Sequence, residues 1–245
     1  MTDTPIVFDN VSKSYPLYHH LTGGIKNFVF HLPGALRSLN TTRRQILENV
    51  SFSVSRGETF GIIGRNGAGK STTLGLIAGV IRPSAGVVHV SDRVSPLLEL
   101  GAGFHSELTG RENIELNGVL LGLSRKEVRR HQDSIVEFSE LIDQPIRTYS
   151  TGQLARLAFS VVVHLDPKIL LIDEILAVGD LGFQKKCMDK MMSFKKQGVT
   201  MVYVSHSMND VVFLCDRVIW IEDRCVKRMG PAAYVAEAYT DLIKG

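Results

Sequence analysis

Eight consecutive residues, Gly64-Arg65-Asn66-Gly67-Ala68-Gly69-Lys70-Ser71, carry the plainest chemistry in this sequence. They satisfy G-x-x-x-x-G-K-[ST] at every fixed position, the spacing of a phosphate-binding loop. Glycine has no Cβ, so the chain can take positive φ and turn several N–H groups onto one cluster of phosphate oxygens. Lys70 is placed to reach the β and γ oxygens of a nucleoside triphosphate, and the Ser71 hydroxyl to ligate Mg²⁺. A second group is Asp173-Glu174, which ends the apolar run Ile169-Leu170-Leu171-Ile172. At the carboxyl end of a parallel strand beside a phosphate loop, Asp173 is expected to hold Mg²⁺. Glu174 is then placed to accept the proton of a water attacking the γ-phosphate. The third is His206, in Ser205-His206-Ser207 after the run Thr200–Val204, expected to hydrogen-bond that phosphate or that water. Taken singly, the acid pair is an exposed turn and His206 a surface histidine; in company they describe triphosphate hydrolysis.

Such side chains need strands that end together. The run Thr59-Phe60-Gly61-Ile62-Ile63 leads into the loop as a strand, and Leu74, Ile77, Ala78 and Ile81 line one face of a helix leading out. That helix starts near Lys70 and aims its partial positive end at the phosphates. Lys168 to Ile172 and Thr200 to Val204 are nearly pure apolar runs, as expected of buried parallel strands. Residues 5–15 and 46–54 read as strands, the second antiparallel, and make an N-terminal antiparallel β region. The turn Pro83-Ser84-Ala85-Gly86 leads into the short strand Val87 to Val90, and Val94 to Leu100 reads as another strand. From about 105 to 165 the patterns Arg111 to Leu121, Arg125 to Leu141 and Gly152 to His164 are helical and more charged, which suggests a helical lobe inserted into an α/β core. Ser124 and Glu127 form a capping box at the second of these. Arg217 to Ile221 and Arg224 to Met229 suggest a hairpin around Glu222-Asp223, and Pro231 opens a last amphipathic helix ending near Ile243.

Length and composition agree with one α/β domain. The chain has 245 residues, 44% hydrophobic and 22% charged, and a net charge of +3, too small to argue for nucleic acid or strong attraction to anionic lipid. No apolar run approaches the ~18 residues of a membrane span. The start, Met1-Thr2-Asp3-Thr4-Pro5, has neither the basic nor the apolar part of a secretory signal. Cys187, Cys215 and Cys225 form no C-x-x-C and read as free thiols in a reducing compartment.

These stretches, in this order and over nearly the whole chain, resemble the ATPase subunit of an ABC transporter. Members carry a signature, usually Leu-Ser-Gly-Gly-Gln, some ~20 residues before the acid pair. Here the matching stretch is Tyr149-Ser150-Thr151-Gly152-Gln153, with tyrosine for leucine and Thr151 for the first glycine. Ser150 and Gln153 keep an S-x-x-Q capping box, so a helix can still begin there. The resemblance implies a homodimer in which Ser150, Thr151, Gly152 and Gln153 act on ATP held by the other subunit. It also implies that Tyr15 stacks on adenine, that Thr72 joins Gly64 to Ser71 in binding ATP, and that Asp180 forms the aspartate loop linking the two sites. Glu99 stands where the family has the glutamine that senses Mg²⁺ and contacts the membrane subunit.

The Gly-Arg-Asn-Gly-Ala-Gly-Lys-Ser loop, Leu98-Glu99-Leu100-Gly101-Ala102-Gly103-Phe104, the Tyr-Ser-Thr-Gly signature and Ile175-Leu176-Ala177-Val178-Gly179-Asp180 are similar to one subgroup. That subgroup is the ATPases of bacterial O-antigen, capsule and teichoic-acid polysaccharide exporters, in their short form. The implied partners are two copies of a separate transmembrane permease, with a lipid-linked polysaccharide as cargo and no nucleic acid. The implied place is the cytoplasmic face of the inner membrane. The alternatives are an exporter ATPase for a drug or small lipid, and a soluble ABC-type ATPase acting on nucleic acid or ribosomes. The segment 16–45 is an insertion. Within it Leu21, Ile25, Phe28, Val29 and Leu32 share one helical face, flanked by Arg37, Arg43 and Arg44. That face either packs on the chain's own β region or meets the membrane surface or permease.

Overall fold

A computed structural model describes residues 3–16, 43–97, 103–120, 123–136, 141–164, 167–173 and 181–244. Glu99, Glu174, Asp180 and the Leu21 to Leu32 stripe lie outside the described residues.

Among the described residues, nine strands fall into two sheets: β1 (Ile6–Pro16), β2 (Arg43–Val54), β3 (Thr59–Ile63), β4 (Ala85–Val90), β5 (Val94–Leu97), β6 (Ile169–Ile172), β7 (Thr200–Val204), β8 (Arg217–Glu222) and β9 (Cys225–Pro231). The larger sheet has the order β5-β6-β7-β3-β8-β9, parallel except for the antiparallel β9. Strands β3, β6 and β7 are buried along their whole length, which is why each reads as an unbroken apolar run. Side chains alternate between two cores. Ile169 and Leu171 join one cluster with Phe60, Ile62 and Val202; Leu170 and Ile172 join another with Met201, Tyr203 and Trp220. Pro96 sits in β5, an edge strand, where a missing N–H donor is tolerated.

The smaller sheet, ordered β2-β1-β4, is antiparallel throughout. It is fastened to the larger one by aromatic stacking: Phe8 on Phe52 at 4.4 Å, then Phe52 on Phe60 at 5.1 Å. Offset rings at these distances add to the area they bury.

Seven α-helices are described: α1 (Lys70–Ile77), α2 (Gly110–Leu120), α3 (Arg125–Val136), α4 (Thr151–His164), α5 (Leu181–Lys196), α6 (Met208–Leu214) and α7 (Ala232–Lys244). Helices α2, α3 and α4 share a cluster of their own, Ile114, Val128, Ile142, Ile146, Tyr149, Leu157 and Val161. The Ser124–Glu127 box caps α3: the Ser124 N–H donates to Glu127 Oε2 at 2.8 Å and the Glu127 N–H to Ser124 Oγ at 3.3 Å. Leu141 lies in a turn, beyond the helix expected to reach it.

Some expectations need correction. Helix α1 stops at Ile77 instead of carrying Ile81 on its face, because Gly79 turns into the left-handed region at φ 71°. Ile81 still packs on the core from the loop. The hairpin of β8 and β9 turns on Asp223 and Arg224, both at positive φ, one residue later than expected. Helices α5 and α6 have no counterpart among the sequence expectations. Phe183, Cys187, Met191 and Phe194 of α5 lie at helical spacing and all enter the core. The three cysteines are free thiols. Burial pushes both Cys187 and Cys215 up to about 12, so neither is a reactive thiolate.

Candidate active site

Three adjacent parallel strands deliver the expected chemistry to one sheet end. Pairing of Ile62 with Val204, and of Ile172 with Tyr203, aligns the carboxyl ends of β3, β7 and β6. The loop from Gly64, the residue His206 and the residue Asp173 therefore leave the sheet side by side, where α/β sheets bind ligands.

The loop's glycines are required by their surroundings. At Gly64 (φ 152°) a Cβ would stand 2.2 Å from the Ile221 carbonyl oxygen. At Gly69 (φ 104°), the residue before α1, it would stand 2.7 Å from Leu47 Cδ2 of β2. The small sheet thus holds the loop from outside, a contact that no local motif announces. Lys70 is only 7% exposed. Its Nζ donates to the carbonyls of Gly64 at 2.8 Å and Arg65 at 3.2 Å, so the ammonium is folded back into the loop. Burial pulls its pKa below the ordinary lysine value, and the Asp173 charge works against that. Thr73, one turn on, donates its hydroxyl to the Gly69 carbonyl at 2.9 Å and locks the start of the helix.

Ser71 Oγ donates to Asp173 Oδ2 at 3.4 Å, bringing together residues 102 positions apart. Burial raises the Asp173 pKa above its usual value, while Ser71, Lys70 and His206 act the other way. Burial lowers the His206 pKa and the Lys70 charge lowers it further, with Asp173 opposing, which leaves the imidazole neutral near pH 7. The backbone at His206 is bracketed by hydroxyls. The Ser207 N–H donates to Ser205 Oγ at 3.0 Å, and the Asp210 N–H to Ser207 Oγ at 3.4 Å, capping α6. The Ser207-x-x-Asp210 spacing is the one sequence signal that could have shown this bracket.

These residues fit a magnesium nucleoside triphosphate. The loop is built on left-handed glycines, a buried ammonium has carbonyls for partners, and a hydroxyl meets a carboxylate. Among the described residues no three His, Cys, Asp or Glu side chains gather into a metal cage. One hydroxyl and one carboxylate, with phosphate oxygens completing the shell, is the way Mg²⁺ is held.

Tyr15, 38% exposed, stands near the end of the β1–β2 ladder opposite Arg44, two residues from the pair Lys13–Leu47 that reaches Gly69. The signature residues are not part of this cluster. Ser150 and Gln153 bond each other: the Ser150 N–H donates to Gln153 Oε1 at 2.8 Å, and the Gln153 N–H to Ser150 Oγ at 3.3 Å. Ser150 and Thr151 are exposed, and a Cβ at Gly152 would meet nothing within 4 Å. Tyr149, by contrast, is buried, and its hydroxyl donates to the Leu141 carbonyl at 2.5 Å. The tyrosine at the first signature position is thus an anchor in the helical cluster.

The model of the family described as "ABC transporter" matches residues 47–177. An O-antigen export system ATP-binding protein of Klebsiella pneumoniae, RfbB, is 54% identical over 96% of this chain and 97% of its own length. A teichoic acids export ATP-binding protein of Listeria monocytogenes, TagH, is 40% identical over 98% of this chain and 70% of its own length. Among solved structures, the dimeric post-hydrolysis state of the ATP-binding cassette MJ0796 with ADP and Pi superposes with a TM-score of 0.72. It is 22% identical and covers 93% of this chain and 98% of that one.

Proposed function

The chain belongs to the ABC transporter family, and from that premise we propose that it is the ATP-hydrolysing subunit of an exporter that drives a lipid-linked polysaccharide across the inner membrane. The carrying observation is the convergence of Lys70, Ser71, Asp173 and His206 at the ends of β3, β6 and β7. The O-antigen export protein that is 54% identical supports the cargo, and disfavours both a drug exporter and an ATPase acting on nucleic acid. Among the described residues no helix is long and apolar enough to cross a membrane. On this proposal the permease is a separate chain and this one sits at the cytoplasmic face of the membrane, as the naming of its relative as the ATP-binding protein of an export system supports.

The residues divide the work. Gly64 to Thr72 wrap the phosphates, Lys70 leaves its two loop carbonyls to bind the β/γ oxygens, and Tyr15 stacks on adenine. Ser71 and Asp173 hold Mg²⁺, which supplies charge neutralisation on those oxygens. Glu174, next to Asp173 in sequence, takes the proton from the attacking water, and neutral His206 donates a hydrogen bond towards the γ-phosphate. Ser150, Thr151, Gly152 and Gln153 complete the site of a second copy. Asp180 links the two sites, and Glu99 takes the glutamine's place toward the permease.

Glu174→Gln tests this. ATP binding by the purified protein should persist while turnover falls by orders of magnitude, and cells carrying the variant should stop exporting the glycan. Near-normal turnover would move the base to His206. Lost turnover with export intact would keep the ATPase and overturn the cargo.

A further inference from the structure

The Tyr15 ring has a cation over one face. Lys13 Nζ lies 4.8 Å from the ring centroid, within the range of a cation–π contact. The same Nζ donates to the Arg82 carbonyl at 2.7 Å, so the ammonium is tied to the loop that follows α1 as well as to the ring. A lysine on a strand is ordinarily a solvated charge; this one is held on both sides. Lys13 also pairs across the sheet with Leu47, the residue pressed against Gly69. One short segment therefore sets where the aromatic stands relative to the phosphate loop and how its ring is oriented.

We infer that Lys13 is a positioning residue for the nucleobase: it holds the Tyr15 ring from behind and leaves the opposite face to stack on the base. The inference rests on the proposed role of Tyr15. A ring fixed in one orientation loses less freedom when a base stacks on it, so the base half of ATP binds more tightly. The contribution concerns the base, and the phosphates and the chemical step are untouched.

Three variants of the purified protein, Lys13→Met, Lys13→Arg and Tyr15→Ala, test it, with affinity measured for MgATP and for magnesium tripolyphosphate, which has no base. Lys13→Met should weaken MgATP binding about 2–5-fold, the lower part of the cost of ordering one side chain on binding. Tripolyphosphate affinity and kcat should not change, and Lys13→Arg should restore ATP affinity. Unchanged ATP affinity in Lys13→Met overturns the inference. So does an equal loss for both ligands, which would mean that the lysine charge simply attracts phosphate. If Tyr15→Ala binds ATP normally, the stacking role itself falls and the inference with it. If Tyr15→Ala weakens ATP and Lys13→Met does not, only the inference falls.

Discussion

The carboxyl end of the large sheet and the start of α4 are the two regions to which we assign chemistry, and they are built in opposite ways. At the sheet end, Lys70 is buried, Ser71 is bonded to Asp173, and His206 feels both charges, so the parts of the site meet within one chain. At the start of α4, Ser150 and Gln153 cap each other through reciprocal hydrogen bonds, on an exposed helix end anchored from below by Tyr149. The sheet end is shaped to hold a ligand by itself. On the proposed reading the helix end is half of a site, with an N-terminus suited to an anion held elsewhere. The contrast is what a symmetric dimer asks of each copy: a nucleotide held on one surface and a cap presented on another.

The sharpest way to break this contrast is to disable each region alone. Lys70→Ala removes the buried ammonium and should cost hydrolysis about 10²–10³-fold or more, with nucleotide affinity also reduced. A steady-state ATPase assay with a binding titration checks both. Removing Mg²⁺ with a chelator should abolish turnover in the intact protein, and activity without divalent ions would refute the Ser71–Asp173 assignment. Next in size is His206→Gln, expected to lower kcat by about 10²-fold with little change in KM. Because burial and Lys70 hold the imidazole pKa below 6.5, the neutral form persists as pH falls. The acid limb of kcat/KM set by this residue, which reports the free protein, should therefore lie below pH 6.5 and vanish in the variant. A limb at or above pH 6.5 would contradict that environment.

The smallest effect concerns the anchor under the exposed end. Tyr149→Phe removes the hydrogen bond to Leu141 and leaves that carbonyl without the tyrosine, at a cost of about 1–2 kcal/mol. Thermal unfolding should shift by only a few degrees. The informative readout is hydrolysis, which should fall no more than the loss of folded protein explains. A larger drop would make Tyr149 part of the cap as well as its support.

Legibility in the sequence follows the range of the forces. Both capping boxes are local: four residues contain the atoms that decide each, and the structure has Ser124–Glu127 and Ser150–Gln153 as expected. The phosphate loop is legible from eight residues, although Ile221 and Leu47 press on its glycines from outside. The central strands announce themselves because burial on both faces leaves room for few polar residues, Thr59 and Thr200 at their starts. Helix α5 is hidden because Lys185, Lys186, Lys190, Lys195 and Lys196 dilute a stripe made partly of Cys187 and Met191. Helix α6 has seven residues, too few for a period to show. The turn of the last hairpin lacks the glycine that normally marks positive φ, since Asp223 and Arg224 take that role. Leu47 against Gly69 and Lys13 behind Tyr15 depend on sheet pairing, which no stretch of sequence displays by itself.

Everything proposed for Ser150 depends on the exposed helix end of one copy completing the phosphate site of another. Mixing two inactive proteins isolates that dependence. Ser150→Arg should bind ATP as a monomer and hydrolyse none, and Lys70→Ala should fail for its own reason. Combined in equal amounts with free exchange, they should recover at most one working site in each mixed dimer, about a quarter of wild-type turnover for a two-fold symmetric pair. Wild-type turnover by Ser150→Arg alone, or a mixture as inactive as its parents, would contradict the shared site.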